Sequence, residues 1–293
     1  MAVAYPKQKK ITQLGSPEMP SVILAQDGNA ELCLGLTTKP YERTATWEGY
    51  PLYYDVYLLN TKDNKPKRIK EKLRATPAIS PNAQYLYWYN GADSSYYTYN
   101  IKSGQTFNIS KNVKTKFYDE LFDMPDNPNA YGMAGWTEND QLLLVYDRYD
   151  MWALHPENKT PAQRITQKGR ENKLAFRYVR LDPEERFIKN DATLFLEVAD
   201  EEKKDEGYFT IKLGNTEAPR KLVLEAGKFS SPIKAKEADR YVFTKQTFKN
   251  FPDLYHTDLS FTKVTRISNA NPQQANYLWG SAEIVKWHAP NGE

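Results

Sequence analysis

The chain of 293 residues is long enough for one large domain or two ordinary ones, and its 40% hydrophobic and 26% charged residues are typical of a globular protein. Its 40 basic and 37 acidic residues are mixed along the chain, so no basic stripe indicates nucleic-acid binding. No stretch approaches the roughly 20 apolar residues that cross a bilayer, and the N-terminus lacks the continuous apolar segment of a signal peptide.

The N-terminal segment is predicted to lie outside the repeated part of the chain. Residues 1–19 are expected to form a tail or an incomplete copy of the repeated unit that follows them, and the basic run "PKQKK" at 6–10 is expected to be a solvated tail. Cys33 follows in "AELCLGL", where a small buried thiol in a strand is expected. A single cysteine excludes an internal disulfide and a thiolate metal cluster.

Five short segments then repeat one pattern, with Tyr or Trp in the third position. The segments are "DVYLLN", "SYYTYN", "DMWALH", "EGYFTI" and "DLYHTD", with the aromatic residues Tyr57, Tyr97, Trp152, Tyr208 and Tyr255. Each is followed after 12 to 14 residues by a second marker, at Ile69, Ile109, Ile165, Leu222 and Ile267. Two strands joined by a short polar turn fit this spacing.

A polar turn and an apolar run precede these segments and predict a second hairpin in each repeat. The matching stretches are "LAQDGNAELCL", "ISPNAQYLYWY", "WTENDQLLLVY", "LDPEERFI" and "KAKEADRYVFT". Each repeat therefore holds about four short strands. Helical periodicity is nearly absent, although "FYDELFDM" at 117–124 could form one short turn of helix.

Four antiparallel strands that repeat every 40 to 56 residues are typical of β-propeller blades. We therefore predict an all-β propeller over residues 20–285, with about five to six blades and the possibility of a larger seven- or eight-bladed ring. Part of a sixth blade is expected at "NYLWGSAEIVKW", residues 276–287. A β-sandwich is the alternative fold. It would not require the two markers of each repeat to recur at a nearly constant spacing, so the repeat favours the propeller.

The stretch "LVYDRYDMWALHP" at 144–156 places three charged residues close together, which could indicate either an active site or a turn. The repeat places Leu142–Tyr146 in a second strand and Met151–Leu154 in a third, with Asp147, Arg148, Tyr149 and Asp150 at the tip between them. The equivalent tip in the preceding repeat, "NGADSS", has the residues of a tight turn. We therefore interpret these charges as part of a turn.

Three longer stretches are more specific than a short motif: "AISPNAQYLYWYNGADSSYYTYNIKSGQTFNIS", "YGMAGWTENDQLLLVYDRYDMWAL" and "NANPQQANYLWGSAEIVKWHAPNGE". They resemble the propeller of prolyl oligopeptidase-type serine peptidases, particularly long bacterial members similar to dipeptidyl peptidases. The resemblance implies that residues 286–293 begin a linker to an α/β-hydrolase domain, and it implies a periplasmic or secreted location.

The same resemblance implies that the hydrolase domain carries the catalytic residues and that the propeller domain carries none. The family's hydrolase domain carries a G-x-S-x-G nucleophile elbow, which does not occur in these 293 residues. We therefore expect no catalytic residues in this chain. Its partners would be peptide substrates, which the propeller gates or positions, and the hydrolase domain of its own parent chain.

Family members similar to dipeptidyl peptidases hold the substrate amine on acidic residues of a propeller excursion. The largest excursion here is "KFYDELFDMPDNPNAYG" at 116–132, with Tyr118, Asp119, Glu120 and Asp123 near its start. These four residues are the candidate substrate contacts, since carboxylates accept strong hydrogen bonds from ammonium groups. The family's paired-glutamate motif is absent as such.

Two other functions stay open beside this one. A free-standing, TolB-like propeller could bind protein or glycan through its many aromatic residues, and a propeller glycosidase would need a pair of carboxylates. His155, His256 and His288 lie far apart and lack metal-ligand spacing, so we expect no metal and no cofactor.

Overall fold

The computed structural model describes residues 1–25 and 28–290, and their regular structure is predominantly β. Five antiparallel sheets of four strands follow one another along the chain, after a two-stranded sheet. Within each four-stranded sheet every strand is hydrogen-bonded to the next one in the chain. Such meanders are the blades of a propeller, which confirms the predicted all-β fold class.

The strands are numbered in chain order. The two-stranded sheet contains β1 (Ala2–Tyr5) and β2 (Lys10–Gln13). Blade 1 contains β3 (Ser21–Leu24), β4 (Leu32–Thr37), β5 (Tyr54–Asn60) and β6 (Lys67–Leu73). Blade 2 contains β7 (Ala78–Ile79), β8 (Tyr85–Asn90), β9 (Ser95–Asn100) and β10 (Thr106–Asn108). Blade 3 contains β11 (Met133–Trp136), β12 (Leu143–Tyr146), β13 (Met151–Leu154) and β14 (Gln163–Arg164).

The strands of the last two blades and the short helices complete the regular structure. Blade 4 contains β15 (Leu174–Tyr178), β16 (Thr193–Asp200), β17 (Asp205–Lys212) and β18 (Arg220–Ala226). Blade 5 contains β19 (Lys228–Lys234), β20 (Tyr241–Gln246), β21 (Asp253–Thr257) and β22 (Thr265–Arg266). The two α-helices are one turn each, α1 (Ala45–Glu48) and α2 (Gly169–Asn172). Short 3-10 helices span Pro6–Gln8, Lys39–Tyr41, Glu138–Asp140 and Pro272–Asn276.

The chain divides into two compact units. Unit 1 contains Met1–Arg164 and Arg186–Asn190, and therefore the two-stranded sheet and blades 1 to 3. Unit 2 contains Ile165–Glu185 and the chain from Asp191 onward, and therefore blades 4 and 5. No helix in residues 1–25 and 28–290 has the length and apolar character that crossing a bilayer requires.

The aromatic marker of each repeat lies in the third strand of its blade, as predicted. The five positions are Tyr57 in β5, Tyr97 in β9, Trp152 in β13, Tyr208 in β17 and Tyr255 in β21. Each second marker lies in the fourth strand or directly after it. The spacing of the markers therefore predicted the order of the strands within a blade.

Blades of unit 1 bury their faces against their neighbours. Since side chains alternate between the two faces of a strand, one sheet presents apolar groups on both sides. One core cluster joins blade 1 to blade 2 and includes Leu34, Val56 and Trp88. A second joins blade 2 to blade 3, where the rings of Tyr85 and Trp136 stack with centroids 5.7 Å apart.

Unit 2 has an aromatic core between blades 4 and 5. It includes Phe195 and Tyr208 of blade 4 with Tyr241 and Phe243 of blade 5. The rings of Phe195 and Tyr241 stack with centroids 5.5 Å apart. Aromatic side chains bury a large apolar area, so a few of them can hold two thin sheets together.

The N-terminal segment is not the solvated tail that the basic run predicted. Strands β1 and β2 form a hairpin around residues 6–9, although the side chains there are exposed. Leu14 and Met19 then pack on Cys33 in the core of blade 1. A Cβ atom on Gly35 would lie only 2.4 Å from the Met19 sulfur, so the glycine leaves the space that Met19 fills.

The hairpin predicted at "LDPEERFI", residues 181–188, is also wrong. The first two strands of blade 4 are β15 and β16, and residues 179–192 connect them. Ile188 instead forms a parallel bridge with Thr137, and its N–H donates to the carbonyl of Trp136 at 2.8 Å. The apolar run at the end of this stretch therefore belongs to a connection that is bound to blade 3, and not to a strand of blade 4.

The predicted sixth blade is not formed by the residues that the structure describes. The last strand ends at Arg266, and residues 277–290 contain no strand. Their large side chains are exposed, with Trp287 78% accessible. Five blades are therefore described within the predicted propeller region of 20–285.

Candidate functional site

The turns of a four-stranded meander lie at two opposite edges of the blade. The turn between the second and third strands and the connection to the next blade share one edge, which we call the loop edge. The two longest connections between strands of unit 1, residues 38–53 in blade 1 and 109–132 between blades 2 and 3, both lie at the loop edge. Loops on a rigid scaffold often carry function, so this edge is the candidate site.

A cavity of about 230 Å³ opens at the loop edge of unit 1. Its lining includes Pro51 of the 38–53 loop, Arg74 after β6, and residues 87–92 of β8 and its turn. Residues 127–129 and Met133 complete it from the other side. Both long loops and all three blades of unit 1 therefore contribute to one cavity.

The 116–132 loop folds back on itself by a short ladder of backbone hydrogen bonds. The Tyr131 N–H donates to the Phe117 carbonyl at 2.9 Å, and the Asp119 N–H donates to the Asn129 carbonyl at 2.7 Å. The Tyr89 hydroxyl donates to the Pro128 carbonyl at 3.3 Å. This arrangement places residues 127–129 against the tip of blade 2.

The four candidate substrate contacts lie at the start of that loop, and none of them lines the cavity. Tyr118 forms an isolated bridge with Ala130, and the Lys116 ammonium lies 5.5 Å from its ring. The Asp119 carboxylate accepts a hydrogen bond from the Leu121 N–H at 3.0 Å. Contact of these residues with substrate stays a prediction.

Glu120 and Asp123 complete this group of acidic residues. Glu120 donates its backbone N–H to the Tyr131 hydroxyl oxygen at 2.8 Å and is half-buried, whereas Asp123 is exposed. The expected turn of helix at 117–124 is not formed, since residues 119–122 make a single hydrogen-bonded turn. The ladder with residues 129–131 holds this backbone instead of a helical pattern.

Sequence reasoning missed the contribution of the 38–53 loop and of Arg74. The Arg74 Nη2 donates to the carbonyl of Glu48 in α1 at 2.6 Å, and its guanidinium lies 5.8 Å from the ring centre of Tyr53. Trp47 and Tyr50 of the same loop are 84% and 79% exposed. The signal available was the interval between the second and third strands of blade 1, which is longer than in the other blades.

The tip at 147–150 is a turn, as predicted, but it is buried. Asp147 is 1% exposed, and its Oδ1 accepts the backbone N–H groups of Tyr149 and Asp150 at 2.7 Å each. Its Oδ2 accepts the Thr115 hydroxyl and the Trp152 indole N–H at 2.9 Å each. This one carboxylate ties the turn, the third strand and the start of the loop at 109–132 together.

Asp150 is equally buried and is paired with a cation. Its Oδ2 accepts a hydrogen bond from Arg164 Nη2 at 2.5 Å, across the outer pair of strands in blade 3. Buried carboxylates require such partners, because a desolvated charge without one is very costly. The charged motif therefore serves the fold of blade 3.

A second polar cluster lies at the opposite edge of blades 2 and 3. Glu157 accepts hydrogen bonds from Lys159, the Tyr85 hydroxyl and Asn100, each at 2.8 Å. Lys159 and Tyr85 lower the pKa of Glu157 to about 2. His155 Nδ1 accepts the Glu157 N–H at 3.0 Å, and burial lowers the His155 pKa. The cluster fixes the turn between β13 and β14, beside a cleft of about 460 Å³.

The other candidate groups for chemistry are dispersed. His256 lies in β21, where its backbone pairs with Val242 of β20, and His288 is exposed. Burial raises the pKa of Cys33 to about 11, which keeps it a thiol in the blade 1 core, as predicted. Among residues 1–25 and 28–290, no three His, Cys, Asp or Glu side chains come together in a metal-binding group.

No family model matches this chain, and no curated protein matches it in sequence. Several solved structures are similar in fold. Dipeptidyl peptidase 4 from Porphyromonas gingivalis is 12% identical, with a TM-score of 0.50 over 86% of this chain and 40% of that chain. A prolyl endopeptidase is 13% identical, with a TM-score of 0.48 over 89% of this chain and 37% of that chain.

A TolB from Agrobacterium tumefaciens is 13% identical, with a TM-score of 0.39 over 89% of this chain and 84% of that chain. The chain thus spans about 40% of the length of the two peptidases. At these identities the similarity shows the fold alone. With five four-stranded meander sheets in its described residues, the chain has the β-propeller fold of the propeller region in these peptidases.

Proposed function

We propose that this chain is a non-catalytic propeller of a prolyl oligopeptidase-type serine peptidase, which gates or positions peptide substrates for a hydrolase domain. The observation that carries the proposal is the cavity that both long loops of unit 1 line at the loop edge. The three sequence stretches that resemble such propellers support the same function. A periplasmic or secreted location accompanies this proposal.

The lining of the cavity suits a peptide. Three asparagines, at 90, 127 and 129, offer amide donors and acceptors, which match the N–H and C=O groups of a peptide backbone. Tyr87, Pro128 and Met133 supply apolar surface for a side chain. Binding sites of this mixed character fix orientation with few polar groups and gain affinity from apolar contact.

Peptide binding by the 293-residue chain tests the proposal. We expect fluorescence anisotropy to detect binding of fluorescein-labelled, proline-containing oligopeptides. Ala92→Trp places a large ring in the cavity lining and should weaken that binding about tenfold or more, since overfilling removes the contact surface. Ala218→Trp, in an exposed turn of unit 2, is the matched control and should bind as the wild type does.

Catalysis by this chain alone is expected to be absent. Proline- or alanine-containing dipeptidyl substrates should release no product above background, and a serine-reactive phosphonate should not label the protein. Labelling of one serine in stoichiometric yield would contradict the proposal, because it would reveal an activated nucleophile.

A TolB-like propeller that binds protein or glycan is the second candidate. The highly exposed Trp47 and Tyr50 favour it, since aromatic side chains are common anchors at interfaces. If Trp47→Ala and Tyr50→Ala abolish capture of a folded protein or an oligosaccharide while no peptide binds, this second function replaces the first.

A further inference from the structure

The cavity at the loop edge of unit 1 has an unbalanced charge. Arg74 is the one charged side chain among the described residues that line it, and none of them carries a carboxylate. An ammonium group would lose its hydration there without meeting a counter-charge, which is unfavourable. A carboxylate would instead meet a guanidinium, the partner with which it forms short, charge-assisted hydrogen bonds.

The Arg74 guanidinium has unused hydrogen-bonding capacity. It has five N–H donors, of which one is directed at the Glu48 carbonyl. Its Nε is buried against the protein, so the Nη groups are the donors that a ligand in the cavity could reach. The Tyr53 ring fixes the group, and the Lys72 ammonium, 5.0 Å from the same ring, adds a second positive charge nearby.

The size of the cavity favours the end of a peptide over its middle. Its volume of about 230 Å³ is below the roughly 300–1,000 Å³ of most small-molecule sites. Asn127 closes one side, because a Cβ atom on Gly91 would lie only 3.0 Å from the Asn127 Cβ. A chain terminus can enter such a space, whereas a peptide that continues in both directions needs an open groove.

We propose that this cavity binds the C-terminal carboxylate of a peptide, with Arg74 as its ligand and Asn90, Asn127 and Asn129 as partners of the last peptide groups. The inference rests on the proposed function, since it states which end of a bound peptide the propeller holds. It differs from recognition of an N-terminal amine by Asp119, Glu120 and Asp123, which lie outside the cavity lining.

Four versions of one uncharged Ala-Pro peptide test this proposal on the full 293-residue chain. Each carries an uncharged coumarin dye on a central side chain, and the termini are both free, N-acetylated, C-amidated or both blocked. We expect C-amidation to weaken binding about tenfold, which corresponds to the loss of one charge-assisted hydrogen-bonded contact. N-acetylation should change the affinity less than about twofold, because the amine stays outside the cavity.

Variants of Arg74 locate the effect. Arg74→Gln should remove the difference between the free and amidated peptides, and Arg74→Lys should retain part of it, since lysine keeps the charge without the planar fork. Arg68→Gln, on the exposed face of β6, is the matched control and should keep the full difference. Circular dichroism establishes that each variant is folded before binding is measured.

The outcomes separate this inference from the proposed function. If none of the four peptides binds, the proposed function fails and the inference fails with it. If binding depends on the free amine, or on neither terminus, the chain still binds peptides but the carboxylate site is overturned. Dependence on the carboxylate that persists in Arg74→Gln also overturns it, because the site would then lie elsewhere.

Discussion

The loop edge of unit 1 contains two polar regions that use their groups in opposite ways. At the blade 3 tip, Asp147 and Asp150 are almost fully buried, and their carboxylates are bound by neighbours within unit 1. At the cavity, the side chains of Asn127 and Asn129 are exposed, and within the described residues the Arg74 guanidinium donates one hydrogen bond, to the Glu48 carbonyl. The first region is the richer in charge, yet the second is the one to which we assign a ligand.

The difference follows from what burial demands. A buried carboxylate needs hydrogen-bond donors from the protein. Once these occupy its oxygen atoms, few acceptor positions are left for a substrate. An exposed amide incurs no such cost and can exchange water for a ligand. Charge density along a sequence is therefore a poor guide to a site unless burial is known.

Loss of the Asp147 carboxylate should have the largest effect. Asp147→Ala leaves two backbone N–H groups, a hydroxyl and an indole N–H without their acceptor, and should lower the free energy of unfolding by about 3 kcal/mol. Denaturant titration followed by tryptophan fluorescence measures it. Asp93→Ala, at the exposed tip of blade 2, removes one solvent-exposed hydrogen bond from the Tyr97 hydroxyl and should cost less than about 1 kcal/mol. Equal losses would show that burial does not distinguish the tips.

Glu157, at the edge opposite the loop edge, is a third carboxylate that the fold supplies with donors, and its contribution to stability depends on pH. The pKa of Glu157 falls from the ordinary 4.5 to about 2 in the folded chain. The stabilisation by this carboxylate is therefore present above about pH 4.5 and is lost as the pH falls toward 2. The melting temperature of Glu157→Gln should therefore lie below that of the wild type at pH 7, and the gap should narrow below pH 4.5. A gap that widens on acidification would contradict this assignment.

Gly91→Ala should have a smaller effect on stability and a selective effect on binding. The new methyl group meets the Asn127 side chain at 3.0 Å, so the loop must move slightly, at a cost of about 1 kcal/mol. Peptide affinity should fall because Asn127 leaves its place in the cavity lining. Gly280→Ala, with its nearest contact at an ordinary 3.7 Å, should change neither quantity.

Substitution of the acidic residues should have the smallest effect. Asp123→Asn removes an exposed charge outside the cavity lining, and we expect less than a twofold change in peptide affinity. We expect the same small change in peptide affinity for Glu120→Gln. A tenfold loss in either variant would instead favour the substrate contacts predicted from the sequence for 118–123.

Much of the fold was predictable because blade packing imposes a local rule. Each third strand places one aromatic side chain in or against a core cluster, so Tyr57, Tyr97, Trp152, Tyr208 and Tyr255 recur in register. The rule failed where pairing was not local. Residues 181–188 had the pattern of a hairpin, but Ile188 pairs with Thr137 of blade 3.

The sequence by itself determined the third and fourth strands of five blades, the absence of a G-x-S-x-G elbow from these residues, and the position of the long loop at 116–132. The tertiary structure alone decided that Asp147 and Asp150 are buried, and that Arg74, Asn90 and Asn127 meet around one cavity. Strand periodicity is set by neighbours two residues apart. A cavity depends on which distant loops reach the same edge, and that information exists only once the blades have packed.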